Sequence, residues 1–347
     1  MPGPVITPPR NKPLDILVVM LLACALAFAF AAAPAQSTSS PAPGASGGAQ
    51  SSSSAPQQPS DQTGTFVIRK DVDEVLLHAT VVDDKQHIVT DLDRSAFTVF
   101  EDGKPQNIIS FHHEDIPVAM GIVIDNSGSM REKRAKVNQA ALNLVRASNP
   151  QDEVFIVNFN DEYYLDQDFT NDLLKLKEAL DKIDARGGTA LRDAVVASAE
   201  HLKKYARLDR KVLFVVTDGE DNASRESLEE TVERLQEENG PSVYALGILG
   251  DEEHPRRARR ALEIMAESTG GIAFFPKTLD EVDAISRNIA HDIRNQYTIG
   301  YKPTNPRGAG GFRQIRVDAK RKGKGKLTVR TKSGYYAKTQ PSAAGAN

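Results

Sequence analysis

The chain reads as an α/β protein built on a doubly wound, mostly parallel sheet, with a small flanking β-sandwich made from segments on either side of it. Three observations predict this. Apolar runs of strand length at 118–124, 153–159, 211–217 and 242–247 alternate with stretches of helical periodicity, the pattern of parallel strands covered on both faces by crossover helices. The flanks, 66–111 and the part after residue 295, carry short alternating strands and no long helix. Neither flank is large enough for a core alone, so the two are expected to pair.

Taken in order, 74–82 runs apolar with polar breaks, 97–101 turns at Asp102-Gly103, and 108–111 returns. Strand 118–124 ends at Asp125, and beyond Met130 the positions Val137, Ala141, Leu144 and Val145 recur at helical spacing. A strand at 153–159 and a leucine-rich helix at 173–183 follow. Gly187-Gly188-Thr189 then precedes a helix with Leu191, Ala194, Val195 and Leu202 on one face. The strand at 211–217 ends at Asp218, and Ser227-Leu228-Glu229-Glu230 opens a helix by a capping box. A strand at 242–247, a helix at 256–269, a strand at 271–275 and a last helix at 279–293 complete the alternation. Beyond them Tyr297, Ile299 and Tyr301 alternate, as do Ile315 and Val317, with Leu327 and Val329 further on. The expected organisation is a targeting segment at 1–35, a linker at 36–65, a β segment at 66–116, the α/β domain at 117–295, β strands at 296–338 and a tail at 339–347.

Five oxygen-bearing side chains fall in three of the loops: Asp125, Ser127 and Ser129, then Thr189, then Asp218. Both Asp groups end strands, so they lie at the edge of an open α/β sheet where ligands bind. Each piece has a plain structural reading: Ser129 to Glu132 as a capping box, Asp218-Gly219 as a turn, Thr189 as a helix start. Their combination in this order has none. Two carboxylates and three hydroxyls are hard ligands, suited to Mg²⁺, with Mn²⁺ and Ca²⁺ as alternatives, and not to Zn²⁺.

The motifs resemble the von Willebrand factor type A (VWA) domain and its metal ion-dependent adhesion site, in which Asp-x-Ser-x-Ser, Thr and Asp hold the cation. The resemblance covers about 117–295 and implies a Rossmann-like fold. Phe100-Glu101-Asp102-Gly103-Lys104-Pro105-Gln106 and Gln296-Tyr297-Thr298-Ile299-Gly300-Tyr301 also resemble bacterial proteins described as VWFA-related. The resemblance implies a cation that stays Lewis-acidic toward an incoming anion, so that the Asp or Glu of a protein partner completes its shell. It further implies that specificity resides in loops around the ion, including 160–167 and 220–227.

At the amino terminus, Arg10 and Lys12 precede an apolar stretch at 16–33 followed by Ala33-Pro34-Ala35. This reads as a secretory signal, with an uncleaved membrane anchor and a lipoprotein box at Cys24 as alternatives. Either way the chain is exported, to the periplasm, cell envelope or exterior. Residues 36–65 are mostly Ser, Pro, Gly, Ala and Gln, the composition of a disordered tether. Cys24 is the single cysteine, so a mature chain has no internal disulfide and no thiolate chemistry. A net charge of −4 over 347 residues offers no global field for nucleic acid. Basic runs at 256–260 and 320–326 read as a solvated helix face and a hairpin tip, and His112-His113 as exposed at a domain junction.

Asn126-Ser127-Gly128-Ser129 lacks the G-x-S-x-G elbow, none of the seven histidines stands in a motif that pairs with a serine, and no Gly-rich phosphate loop follows the first domain strand, so the chain is expected not to be an enzyme. The leading expectation is a metal-dependent protein-binding module for adhesion or scaffolding. A structural envelope protein whose cation only stabilises the fold is the alternative, and behind both stands a metal-assisted hydrolase.

Overall fold

The computed structural model describes residues 74–181, 185–250, 255–305, 310–323 and 325–337. The targeting segment, the tether, Cys24 and the tail lie outside them. Four strands precede the α/β domain: β1 (Val75–Val82), β2 (Phe97–Glu101), β3 (Lys104–Gln106) and β4 (Ile108–His112). The domain follows as β5 (Val118–Asp125), α1 (Arg134–Ala147), β6 (Glu153–Phe159), β7 (Tyr163–Thr170), α2 (Leu173–Asp181), α3 (Leu191–Tyr205), β8 (Arg210–Thr217), α4 (Leu228–Leu235), β9 (Ser242–Gly247), α5 (Pro255–Thr269), β10 (Ala273–Phe274) and α6 (Glu281–Arg294). The chain then returns through β11 (Tyr297–Tyr301), β12 (Phe312–Ala319), β13 (Thr328–Arg330) and β14 (Gly334–Tyr336).

The domain sheet runs β10-β9-β8-β5-β6-β7, parallel except for β7. Every residue of β5 is buried, and its side chains alternate between two cores. Met120, Ile122 and Ile124 pack with α1, α2 and α6, whereas Ala119 and Val123 pack with α3, α4 and α5. The sheet is thus doubly wound, as the apolar runs imply. After β5 the strands add first on one side as β6 and β7, then on the other as β8, β9 and β10. The order therefore reverses between β5 and β8, and the crevice beyond their carboxyl ends is where such sheets take ligands. The strand β7 corrects the reading of 160–167 as a loop. It is an antiparallel edge strand whose Tyr163, Tyr164 and Leu165 stay about half exposed, so it has no buried face to imprint a period-2 pattern.

The flanks form two four-stranded sheets, β13-β1-β11-β4 and β14-β12-β2-β3, that share one core including Leu77, Val99, Tyr297, Ile299, Ile315 and Val317. Strand β1 lies between β11 and β13, and β2 pairs with β12. The two flanks are interleaved, so neither sheet exists without both. Some local readings need correction. Asp102 and Gly103, both at positive φ, turn β2 into β3, while β4 crosses to the other sheet. The basic run at 320–326 likewise leads from one sheet to the other and is not a hairpin tip. His112 is exposed, but His113 is half-buried and stacks on Tyr297 at 4.3 Å.

The two family-like motifs meet in the sandwich core. Glu101 is 2 % exposed and accepts hydrogen bonds from Tyr301, from Tyr335 at 3.1 Å and from Arg313 at 3.2 Å. Burial first, and the Glu101 carboxylate after it, pushes the Tyr335 phenol up to about 12. Removing one member strands a buried charge. Glu101→Ala is expected to cost about 3–5 kcal/mol in urea unfolding; a loss under about 1 kcal/mol would contradict the network's role.

A second buried carboxylate gives the fold a pH signature. Asp152 is 4 % exposed and accepts from the backbone N–H of Val118 at 2.8 Å and of Asn149 at 3.1 Å. Burial nonetheless pushes it up to about 6. Between its unfolded value of 3.8 and about 6, the folded state holds a proton that the unfolded state has lost. This group's contribution therefore falls as pH rises through that window. Relative to Asp152→Asn, the parent chain should lose stability between pH 4 and pH 7, measured by urea unfolding at each pH; parallel profiles would contradict this.

Candidate functional site

Strands β5 and β8 are neighbours in register, with Ile124 opposite Val216, so Asp125 and Thr217 end side by side. The Thr217 hydroxyl donates to Asp125 Oδ2 at 2.6 Å, and the Ser127 N–H donates to Oδ1 at 2.8 Å. Asp125 and Asp218 are both fully buried. Burial pushes the Asp125 carboxyl up to about 6 against these hydrogen bonds, and the charge of Asp218 adds to the rise.

The serines turn toward Asp218. Ser129 Oγ donates to Asp218 Oδ1 at 2.9 Å, and Ser127 Oγ lies 3.1 Å from Ser129 Oγ. Ser129 therefore caps no helix: α1 begins only at Arg134 and has no side-chain cap. The capping-box reading of Ser129 to Glu132 fails for that reason.

The Gly187-Gly188-Thr189 loop joins the same edge through its backbone. Arg186 N–H donates to Asn126 O at 2.9 Å, and Gly128 N–H to Gly187 O at 3.2 Å. Thr189 N–H donates to Asn222 Oδ1 at 2.9 Å, while its carbonyl accepts from the N–H groups of Asn222 and Ala223. Gly187 sits at φ +75°, and a Cβ on it would come within 2.2 Å of Asp161 Oδ2, so glycine alone fits there. Thr189 is buried, but among the described residues its hydroxyl makes no hydrogen bond to Asp125, Ser127, Ser129 or Asp218. A hydrogen-bonded chain thus runs from Asp125 through Ser127 and Ser129 to Asp218, its first link made by the Ser127 backbone N–H, and Thr189 is brought in by loop packing.

Other residues at this edge escaped the sequence reading. Thr217 stands beside Asp218 in a motif that was visible. Asp221 accepts from Arg192 N–H at 2.7 Å and from Ser224, and Asp193 accepts from the N–H groups of Arg225 and Glu226, which pins the 220–227 loop to α3. Lys133 reaches Asp218 Oδ2 at 2.5 Å. Only a side chain's reach reveals such a contact, and spacing along the chain does not encode it.

Among the described residues no group of three or more His, Cys, Asp or Glu side chains is arranged to hold a metal. A cation at this edge would depend on the hydroxyls. The oxygen spacing fits one. Ligands at about 2.1 Å on neighbouring corners of an octahedron stand about 3.0 Å apart. The Ser127–Ser129 and Ser129–Asp218 separations are 3.1 and 2.9 Å.

Residues 120–220, which include all five predicted positions, match the family model described as von Willebrand factor type A domain. The chain carries a VWA domain, set between the two halves of a β-sandwich. No curated protein matches it. Among solved structures it is similar to von Willebrand factor type A from Catenulispora acidiphila, with TM-score 0.46, 13 % identity and coverage of 78 % of this chain and 74 % of that one. It is also similar to the vWF domain of the type V pili tip protein Mfa5 from Porphyromonas gingivalis, at TM-score 0.43 and 14 % identity over 52 % of this chain and 95 % of that one. The PilB minor pilin from Streptococcus sanguinis gives TM-score 0.43 and 14 % identity over 52 % of this chain; the match spans 62 % of PilB.

Proposed function

We propose that this protein is a divalent-cation-dependent protein-binding module, serving adhesion or scaffolding at the cell envelope or outside the cell. Mg²⁺, with Mn²⁺ and Ca²⁺ as alternatives, would be held by Asp125, Ser127, Ser129, Thr189 and Asp218, and would supply a Lewis-acidic centre for a partner's Asp or Glu carboxylate. The observation that carries this reading is the octahedral-edge spacing of the Ser127, Ser129 and Asp218 oxygens at the strand-order reversal. Two carboxylates offset the charge of the ion and the hydroxyls only lend lone pairs, so the bound centre keeps its appetite for an anion.

A structural cation is the rival reading, and the loop contacts speak against it. Backbone hydrogen bonds already link the Asn126, Arg186 to Thr189 and Asn222 segments to one another. These contacts support a reading in which the chain itself gathers the loops. Calorimetry with Mg²⁺ should show saturable binding to the parent chain and none to Asp218→Ala, and chelator should leave the main thermal transition in place. Equal binding by the variant, or global unfolding in chelator, would overturn the proposal.

Export rests on the apolar stretch at 16–33 and the small-residue site after it. Among the described residues no helix is long and apolar enough to cross a membrane. The mass of the mature amino terminus distinguishes the routes: a chain beginning at Gln36 is the expected product and excludes both anchor and lipid, whereas an intact terminus or one lipidated at Cys24 would mean anchoring.

A further inference from the structure

Lys133 stands at a place where its charge is locally unfavourable. It is the residue before α1, with αR backbone and no side-chain cap, and its cation meets the positive end of the helix dipole. Ser, Thr, Asp or Asn is the ordinary choice at such a position. The neighbouring cation differs in kind. Arg134 is buried and donates to the backbone carbonyls of Asp125 and Leu180, both at 3.3 Å, which fastens α1 to the end of β5. Lys133 makes no comparable structural tie. Its side chain is 22 % exposed and carries its ammonium from the rim of the site to Asp218, whose side chain is fully buried.

With the Ser129 hydroxyl on Oδ1 and the Lys133 ammonium on Oδ2, both oxygens of Asp218 are engaged by the chain itself. A divalent cation ligated by Ser129 and Asp218 would compete with that ammonium for the same carboxylate, and two positive centres sharing it at contact distance repel. The lysine can yield. Its stem is flexible and its head is readily hydrated, so the ammonium can swing to solvent with no change in the backbone.

We propose that Lys133 is a built-in counter-ion: it neutralises Asp218 when the site holds no divalent cation, and it is displaced from the carboxylate as that cation binds. Binding is then an exchange of a tethered charge for a free one. The exchange sets the cation concentration at which the module becomes competent, and it keeps the buried carboxylate paired below that concentration. This inference rests on the cation-dependent reading of the site and adds a residue outside its ligand set.

The test uses Mn²⁺ as the probe and the full chain, with Lys133→Met removing the charge at similar length and Lys133→Arg retaining it. Lys133→Met should bind Mn²⁺ about tenfold more tightly than the parent chain, with Lys133→Arg near the parent value. In chelator Lys133→Met should melt at a lower temperature than the parent, and that deficit should vanish in an Asp218→Asn background, the signature of a specific pair. In saturating Mn²⁺ the two melting temperatures should converge. Parent and Lys133→Met binding Mn²⁺ equally, or Lys133→Met binding it more weakly, would overturn this inference alone. Absence of Mn²⁺ binding to both would overturn the cation-dependent reading and this inference with it.

Discussion

The structure depends on holding two buried carboxylates at one sheet edge, Asp125 at the end of β5 beside Thr217 and Asp218 immediately after β8. Neither is exposed, and like charges removed from water repel strongly and lose hydration. What surrounds the pair reads as compensation: the Thr217 hydroxyl and Ser127 N–H on Asp125, and the Ser129 hydroxyl and Lys133 ammonium on Asp218. Burial still pushes the Asp125 carboxyl up to about 6, against the hydrogen bonds it accepts. Two buried acids at a strand-order reversal support the proposed cation site.

The scaffold explains why the pair stays in place. All of β5 is buried, with cores on both faces, and α3 on one face and α1 on the other fix the loops on either side of the crevice. The sandwich is fastened to this domain near the end of α6. Arg210 donates to the carbonyls of Ile293 and Gln296, and Arg330 on β13 pairs with Asp292 at 2.8 Å. Tyr244 in β9 donates to the other oxygen of Asp292 at 2.7 Å. This polar cluster makes α6 the physical link between the sheet that carries the site and the strands that flank it.

Much of this was legible in the residues because burial on two faces leaves a strong mark. The runs at 118–124, 153–159, 211–217 and 242–247 became β5, β6, β8 and β9 with boundaries close to those read, and Ser227 with Glu230 formed the capping box. The interleaving of the flanks followed from their size. What stayed hidden has a common cause. Strand β7 is exposed on its edge and shows no periodicity, the crossings of β4 and β13 between sheets depend on long-range pairing, and Glu101 is a charged residue that composition alone would leave in solvent. At the site, side chains in strand-end motifs could be named from order and spacing. The Lys133 contact could not, since it depends on where a flexible stem comes to rest.

The central claim is that oxygens of this sheet edge share one hard cation with a coordination position left for another molecule. A crystal structure of the chain grown with Mn²⁺, with anomalous data, addresses it most directly. The account predicts an anomalous peak about 2.2 Å from Ser127 Oγ and Ser129 Oγ, with Asp218 and Asp125 bound directly or through water and at least one position filled by solvent or a neighbouring carboxylate. No peak at this edge in saturating Mn²⁺, or a peak enclosed by protein ligands on every side, would contradict it.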